Sequence, residues 1–269
     1  MTDDNSVTVS KHFTMIDTRL VSREIPPNAL SDMELKRYLH LCMYAHKQFG
    51  NTIAGHKDFK KYGRCSEKEF KKISERLQGM GFIQIKPVGV KGSVYTVNML
   101  PFYDFDTKEF VSIINQPKTG FVFNQNRIHF IVVPSSAMRI ALTLPRQEML
   151  VLLKLYRYCC PSFNGGVDPN VLRVVGTEWF IHPKLPRDLY MTVDDFKLCV
   201  ENLVNAGVFF TTNVGLMTEH FDVEDRYRIT AGEDGTVFVP TYQWEGVFSD
   251  SYRIDGHESS AVQTDLYGA

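Results

Sequence analysis

An α+β fold of two repeated units, each a group of helices closed by a β-hairpin, follows from three features of the sequence. Capped amphipathic helices alternate with short β-branched segments. The order helix, short helix, helix, hairpin occurs twice. The second occurrence repeats the first with some extra residues between its helices, which is how a tandem architecture shows itself in one chain.

The chain's 269 residues, 43% of them apolar, suffice for two medium domains with real cores. No stretch approaches the roughly 18 uncharged apolar residues that span a bilayer. The start, MTDDNSVTVSKHF, lacks the basic-then-apolar order of a secretory signal, so a cytoplasmic protein without membrane contact is expected. Cys42, Cys65, Cys159, Cys160 and Cys199 include no C-x-x-C pair, and an odd number scattered through helices is poor material for a disulfide framework. They are read as reduced, with the adjacent Cys159 and Cys160 as small hydrophobes at a helix end instead of a redox or metal feature.

From Ser31, the run SDMELKRYLHLCMYAHKQFG places Leu35, Tyr38, Leu39, Cys42 and Ala45 at helical spacing; Ser31 and Glu34 suit a capping box and Gly50 closes the run. A short helix is expected over His56 to Tyr62, ended by Gly63-Arg64. SEKEFKKISERLQGMG repeats the capping box at Ser66 and Glu69, aligns Phe70, Ile73 and Leu77 on one side, and stops at Gly79 and Gly81. FIQIKPVGVKGSVYTVNM reads as two strands around a turn at Val88 to Gly92. Residues 1–100 thus form a first domain with the element order of a winged helix. Residues 101–126 carry aromatics without periodicity, PFYDFDTKEF included, and are read as a linker that packs on something. In the second domain, 127–244, RIHFIVVP reads as a strand and LTLPRQEMLVLLKLYRYCC as a helix capped by Thr143, with Pro145 in its first turn. VDPNVLRVV reads as a short helix. MTVDDFKLCVENLVNAGVFF reads as a helix capped by Thr192 and Asp195, with Phe196, Cys199 and Leu203 buried and Gly207 as its stop. The polar tail, 245–269, is expected to be partly disordered.

An offset of 126 carries Ser66 to Thr192, Glu69 to Asp195, Phe70 to Phe196, Ile73 to Cys199, Leu77 to Leu203 and Gly81 to Gly207, so cap, core stripe and stop coincide. The first helices align at an offset near 112, Ser31 on Thr143. That leaves roughly 14 extra residues in the second unit, around CCPSFNGG and GTEWFIHPKLP.

Net charge is −1, yet residues 1–100 hold 16 Lys and Arg against 10 Asp and Glu, and the excess lies within 56–91. In a winged helix the third helix enters the major groove and the wing lies along the backbone. At about 100° per residue, Lys68, Lys71, Lys72 and Glu75 fall opposite Phe70, Ile73 and Leu77, with Arg76 on the flank. The expected DNA-binding set is Lys57, Lys60, Lys61, Arg64, Ser66, Lys68, Lys71, Lys72, Arg76, Lys86 and Lys91. Arg64, Lys68, Lys72 and Arg76 are the candidates for base edges, and phosphate contacts should supply most of the affinity.

The equivalent face of the second unit offers Asp194, Lys197, Leu198, Glu201 and Asn202, a mixture that a polyanion repels as often as it attracts. Its first helix turns Met149, Leu152, Leu153 and Tyr156 inward, but Leu150, Val151 and Leu155 are apolar too, and Lys154 is nearly alone on the polar side. A helix apolar on nearly every side is covered on two. Leu150, Val151 and Leu155, with Leu198, are therefore the expected partner interface, facing the first unit, the linker or a second subunit. A glycine-rich phosphate loop, H-E-x-x-H, G-x-S-x-G, H-x-H and zinc-spaced cysteines are all missing, so no enzyme is expected and no catalytic residue, metal or cofactor is assigned.

Phe13, Ile16, Asp17 and Leu20 in F-x-x-I-D-x-x-L, then Leu30-Ser31, the long helix, and L-x-x-x-G-F-I at Leu77, Gly81, Phe82 and Ile83, resemble the winged-helix domains of plasmid and phage replication and regulatory proteins. The resemblance spans residues 13 to 97, and 128 to 240 in outline. It implies two winged-helix domains in tandem, a homodimer, and sequence-specific binding to double-stranded DNA in replication initiation or transcription control. A replication or segregation protein is a further partner it implies. The acidic second unit suits an alternative, an interaction scaffold that grips protein partners, as in chromosome-segregation accessory subunits.

Overall fold

Hydroxyl side chains start three of the long helices, because the first-turn N–H groups of a helix have no partner within it. In a computed structural model that describes residues 8–10, 12–45, 50–88, 92–98, 100–111, 130–159, 165–221 and 227–244, Ser31 and Ser66 each close a capping box. Glu34 N–H donates to Ser31 Oγ at 3.3 Å and Ser31 N–H to Glu34 Oε2 at 2.8 Å; Ser66 and Glu69 repeat those distances. The tail 245–269, linker residues 112–126, the turn at 89–91 and Cys160 lie outside the described residues.

Strands β1 (Thr8–Ser10) and β2 (Phe13–Asp17) lead through a 3-10 turn (Thr18–Val21) to α1 (Asp32–Tyr44). Then come β3 (Asn51–Thr52), α2 (His56–Phe59), α3 (Glu67–Gly79), β4 (Ile83–Val88) and β5 (Gly92–Val97). β6 (Phe102–Asp104) and β7 (Glu109–Val111) pair with each other. The second half runs β8 (Phe130–Pro134), α4 (Ser135–Ala141), α5 (Arg146–Tyr156), β9 (Leu172–Val175), β10 (Glu178–Ile181), α6 (Lys184–Asp188), α7 (Val193–Asn205), β11 (Phe209–Phe221), β12 (Tyr227–Pro240) and β13 (Tyr242–Trp244). The class is α+β, with small and mainly antiparallel sheets. One sheet has the order β3-β5-β4 and another β10-β9-β12-β11: β3, ahead of α2, pairs with the second hairpin arm β5, whereas in the second half β9 pairs with the second arm β12 and an added strand, β10, stands between β9 and α6 in the chain.

The ends of α3 and α7 match bond for bond. Phe82 N–H reaches Leu77 O at 2.9 Å and Val208 N–H reaches Leu203 O at 3.0 Å. Gly81 (φ +84°) and Gly207 (φ +69°) take the left-handed conformation that such a helix stop requires. Two inter-helix contacts match as well: Arg76 of α3 pairs with Glu34 of α1 at 2.8 Å, and Asn202 of α7 donates to Glu148 of α5 at 2.9 Å. These pairs set the offset of the first helices at 114, not near 112. Pro145, not Thr143, is the N-cap of α5, and the Thr143 hydroxyl instead donates to Ile140 O at 2.7 Å, closing α4.

Other expectations give way to pairing that short-range pattern cannot reveal. PFYDFDTKEF is a hairpin, with Tyr103 opposite Phe110 and the Phe110 ring 4.8 Å from Phe82. VDPNVLRVV is not helical; Leu172–Val175 is β9, held by β10 and β12, and the short helix comes later, at α6. Short-range pattern gives no sign of β1, β2, β3, β10, β13 or α4.

Both halves share one hydrophobic core. β2 runs antiparallel to β8 with Ile16 opposite Ile131, and β1 runs parallel to β13. α5 lies in the middle, against α4, α7, β8 and the 3-10 turn, with Val151, Leu152, Leu153 and Leu155 fully buried. Each such side chain contributes about 1.5–3 kcal/mol. Of the expected partner interface, Val151 and Leu155 are covered by the chain itself, whose 3-10 turn in the first half lies against α5, Leu150 is half-buried, and Leu198 alone of the four is exposed, at 56%. Lys154, expected on a polar side, is 0% exposed. Its Nζ donates to Asp188 Oδ2 at 2.7 Å and to Val21 O at 2.9 Å.

Candidate nucleic-acid interface

α2 and α3 lie together through aromatic contacts, Phe59 and His56 standing 5.9 and 5.3 Å from the Phe70 ring. His56 Nε2 donates to Cys65 O at 2.9 Å and so fastens the turn between them. Phe70, Ser74 and Leu77 face inward from α3, Ile73 is half-buried against the core, and the opposite arc is solvent-facing, as the 3.6-residue period demands. Lys57, Lys60, Lys61, Arg64, Ser66, Lys68, Lys71, Lys72, Arg76 and Lys86 are all exposed, so not one of the ten described members of the expected set is buried. Lys91 falls outside the described residues.

Three members are less available than the sequence suggests. Ser66 spends its hydroxyl on the helix cap, accepting from Glu69 N–H and donating to Glu69 Oε2 at 2.8 Å. Those Ser66 N–H and hydroxyl donors hold the Glu69 carboxyl below its usual range. Lys71 stands 3.9 Å from Glu75, a loose surface pair. Arg76, expected at base edges, lies along Glu34, whose side chain is 1% exposed while that of Arg76 is 60% exposed. The approach is close without hydrogen-bond alignment, so the pairing is Coulombic. Among the described residues, Lys57, Lys60, Lys61, Arg64, Lys68, Lys72 and Lys86 enter no ion pair.

Beneath this surface lies a feature that sequence reasoning missed. Arg37 of α1 is fully buried. Nη2 donates to Ala54 O at 3.1 Å, Nη1 donates to His40 Nδ1 at 2.9 Å, and Nε makes a long contact of 3.5 Å with Ser74 Oγ. The guanidinium carbon lies 4.3 Å from the Phe70 ring centre and 4.6 Å from that of Tyr95. Because Arg has no lone pair to offer, His40 Nδ1 must be the acceptor. Burial and the adjacent Arg37 charge push His40 down to about 3. The available signal was a second stripe on α1, with Met33, Leu41 and Tyr44 at spacings that also carry Arg37 and His40.

The corresponding face of α7 has exposed Asp194, Leu198 and Val193, with Lys197 3.9 Å from Glu201. Among the described residues no group of three His, Cys, Asp or Glu could hold a metal, no disulfide forms, and no helix is long and apolar enough to cross a membrane. Comparison of the chain with family models, curated proteins and solved structures finds no match.

Proposed function

We propose that the chain is a double-stranded DNA-binding protein of two tandem winged helices, in which α3, α2 and the β4–β5 wing carry the contacts. The observation that carries this is the set of seven exposed cations on those elements and the turn between α2 and α3 that enter no ion pair among the described residues. The order α1, β3, α2, α3, β4, β5 with sheet order β3-β5-β4 supports the winged-helix assignment, and the order α5, β9, β10, α6, α7, β11, β12, the same but for the added strand β10, supports a tandem. Phosphates meet Lys57, Lys60, Lys61 and Lys86, while Arg64, Lys68 and Lys72 are the residues placed to read bases. The second unit, with Asp194 and Leu198 where the first has Lys68 and Lys72, serves a protein partner or a second copy. Replication initiation and transcription control are the processes such a protein serves.

The test uses the whole chain, because β2 and β1 pair with strands of the second half and a piece ending at residue 100 would lack both partners. Fluorescence anisotropy of a duplex titrated at several salt concentrations gives a slope of about −0.9 per phosphate neutralised. Lys68→Ala and Lys72→Ala should each make it shallower by about 1. A wild-type chain that ignores duplex DNA at low salt sinks the proposal.

A companion variant, Glu34→Gln, keeps an acceptor for Ser31 N–H but releases Arg76 from its counter-charge. The salt slope should steepen by about 1. An unchanged slope means that Arg76 does not reach the duplex.

A further inference from the structure

We infer that Arg37 is the positioning residue of this surface: one buried, planar guanidinium ties α1 to the approach of α2, to α3 and to the wing strand β5. The inference rests on the DNA-binding reading for its purpose and on the geometry for its substance. Ala54 precedes Gly55, the N-cap of α2, Ser74 and Phe70 belong to α3, and Tyr95 belongs to β5. The cations of the proposed interface all sit on α2, α3, the turn between them, or the wing.

Stability alone gives no reason to keep this group. Among the described residues no carboxylate lies within ion-pairing distance of Arg37, and a buried cation held only by neutral acceptors and ring faces is costly to desolvate. Desolvation pulls its pKa down to about 10, which still leaves it charged at neutral pH. An apolar side chain of similar length would fill the space at little cost or with a gain. The second unit does so: at the offsets of 114 and 126 the equivalents of Arg37 and Ser74 are Val151 and Val200, both buried. The unit with the mixed-charge face has an apolar pair where the unit with the cationic face has a guanidinium fork. What a fork supplies and a methyl group does not is direction, since its N–H groups and flat faces each accept a partner from one side only.

Three variants of the full chain test this: Arg37→Met, Arg37→Lys and Tyr95→Leu. Arg37→Met should retain the wild-type helix content and melt near or above the wild type, yet bind duplex DNA with a salt slope shallower by about 1 to 2, because helix and wing no longer meet phosphates together. Arg37→Lys, which keeps the charge without the fork, should show the same loss. Wild-type affinity and slope in a folded Arg37→Met chain would overturn the inference. Should that variant not fold, Tyr95→Leu decides, since it removes the ring and hydroxyl that Arg37 meets on the wing; a slope equal to wild type overturns the inference there too. Hydrogen exchange separates the two proposals: the amides of α2, α3 and β5 should open as one unit in the wild type and independently in Arg37→Met, whether or not the chain binds DNA. Unchanged coupled opening in the variant overturns the positioning role, and absent DNA binding by the wild type overturns only the function.

Discussion

Replacing Asp188 by alanine should destabilise the protein by about 3–5 kcal/mol, the cost of leaving a buried charge without its partner. Lys154 Nζ is sealed from solvent and has Asp188 Oδ2, Val21 O and, at 5.8 Å, the Tyr158 ring as its surroundings. Burial already draws its ammonium down to about 8, against the hydrogen bond and charge of Asp188, which hold it up. In Asp188→Ala only the Val21 carbonyl remains to it, so the cation stays buried at a penalty or gives up its proton. For a chain of this size the loss corresponds to a fall in Tm on the order of 10 °C. Lys154→Met should cost less, because Asp188 keeps Arg187 at 4.0 Å and some access to water. Lys154→Met combined with Asp188→Ala should be more stable than Asp188→Ala alone, as expected when an apolar pair replaces a broken ionic one. Equal Tm values for Asp188→Ala and the wild type would show that the pair carries no such weight. Lys154 belongs to α5 and Val21 to the turn after β2, so the same lesion should loosen the two halves together.

Acid should begin to erode stability near pH 6.5, well before the carboxylates titrate. His40 is held neutral in the folded chain, its value lowered from 6.5 to about 3 by burial first and by Arg37 second. Between those values the unfolded chain binds the proton and the folded chain refuses it, so stability rises with pH across the window and is lost as pH falls through it. The slope is about 1.4 kcal/mol per pH unit, or roughly 3 kcal/mol by pH 4. The ring has little room to escape this, lying 5.0, 5.4 and 5.7 Å from those of Tyr44, Phe59 and Tyr62. His40→Gln keeps an acceptor for Arg37 Nη1 and cannot take up a proton. Its denaturant midpoint should be flat between pH 6.5 and 4.5, where the wild type declines; a variant that declines in parallel removes His40 as the cause.

The exposed cations were legible because they follow a local rule. On α3 the buried Phe70 and Leu77 leave one arc for solvent, and a lysine in that arc is solvated whatever surrounds the helix. Lys154 and Arg37 escaped the same rule. Charge usually seeks water, which put Lys154 on a polar side and gave Arg37 no mark, whereas a second wall of protein covers the helix face that carries each of them. Arg76 was legible as an exposed cation but not as one facing Glu34, since the two lie on different helices 42 residues apart.

Caps, helix stops and hairpin arms are set by hydrogen bonds and sterics that reach three to five residues along the chain, so Ser31, Ser66, Thr192, Gly81 and Gly207 announce them in sequence. Strand partners and the fate of buried charge depend on groups brought together across far greater separations, 133 residues for Lys154 and Val21 and 115 for Ile16 and Ile131. Only the closed tertiary structure chose them, because the low-dielectric interior that makes those contacts decisive does not exist until both halves have met.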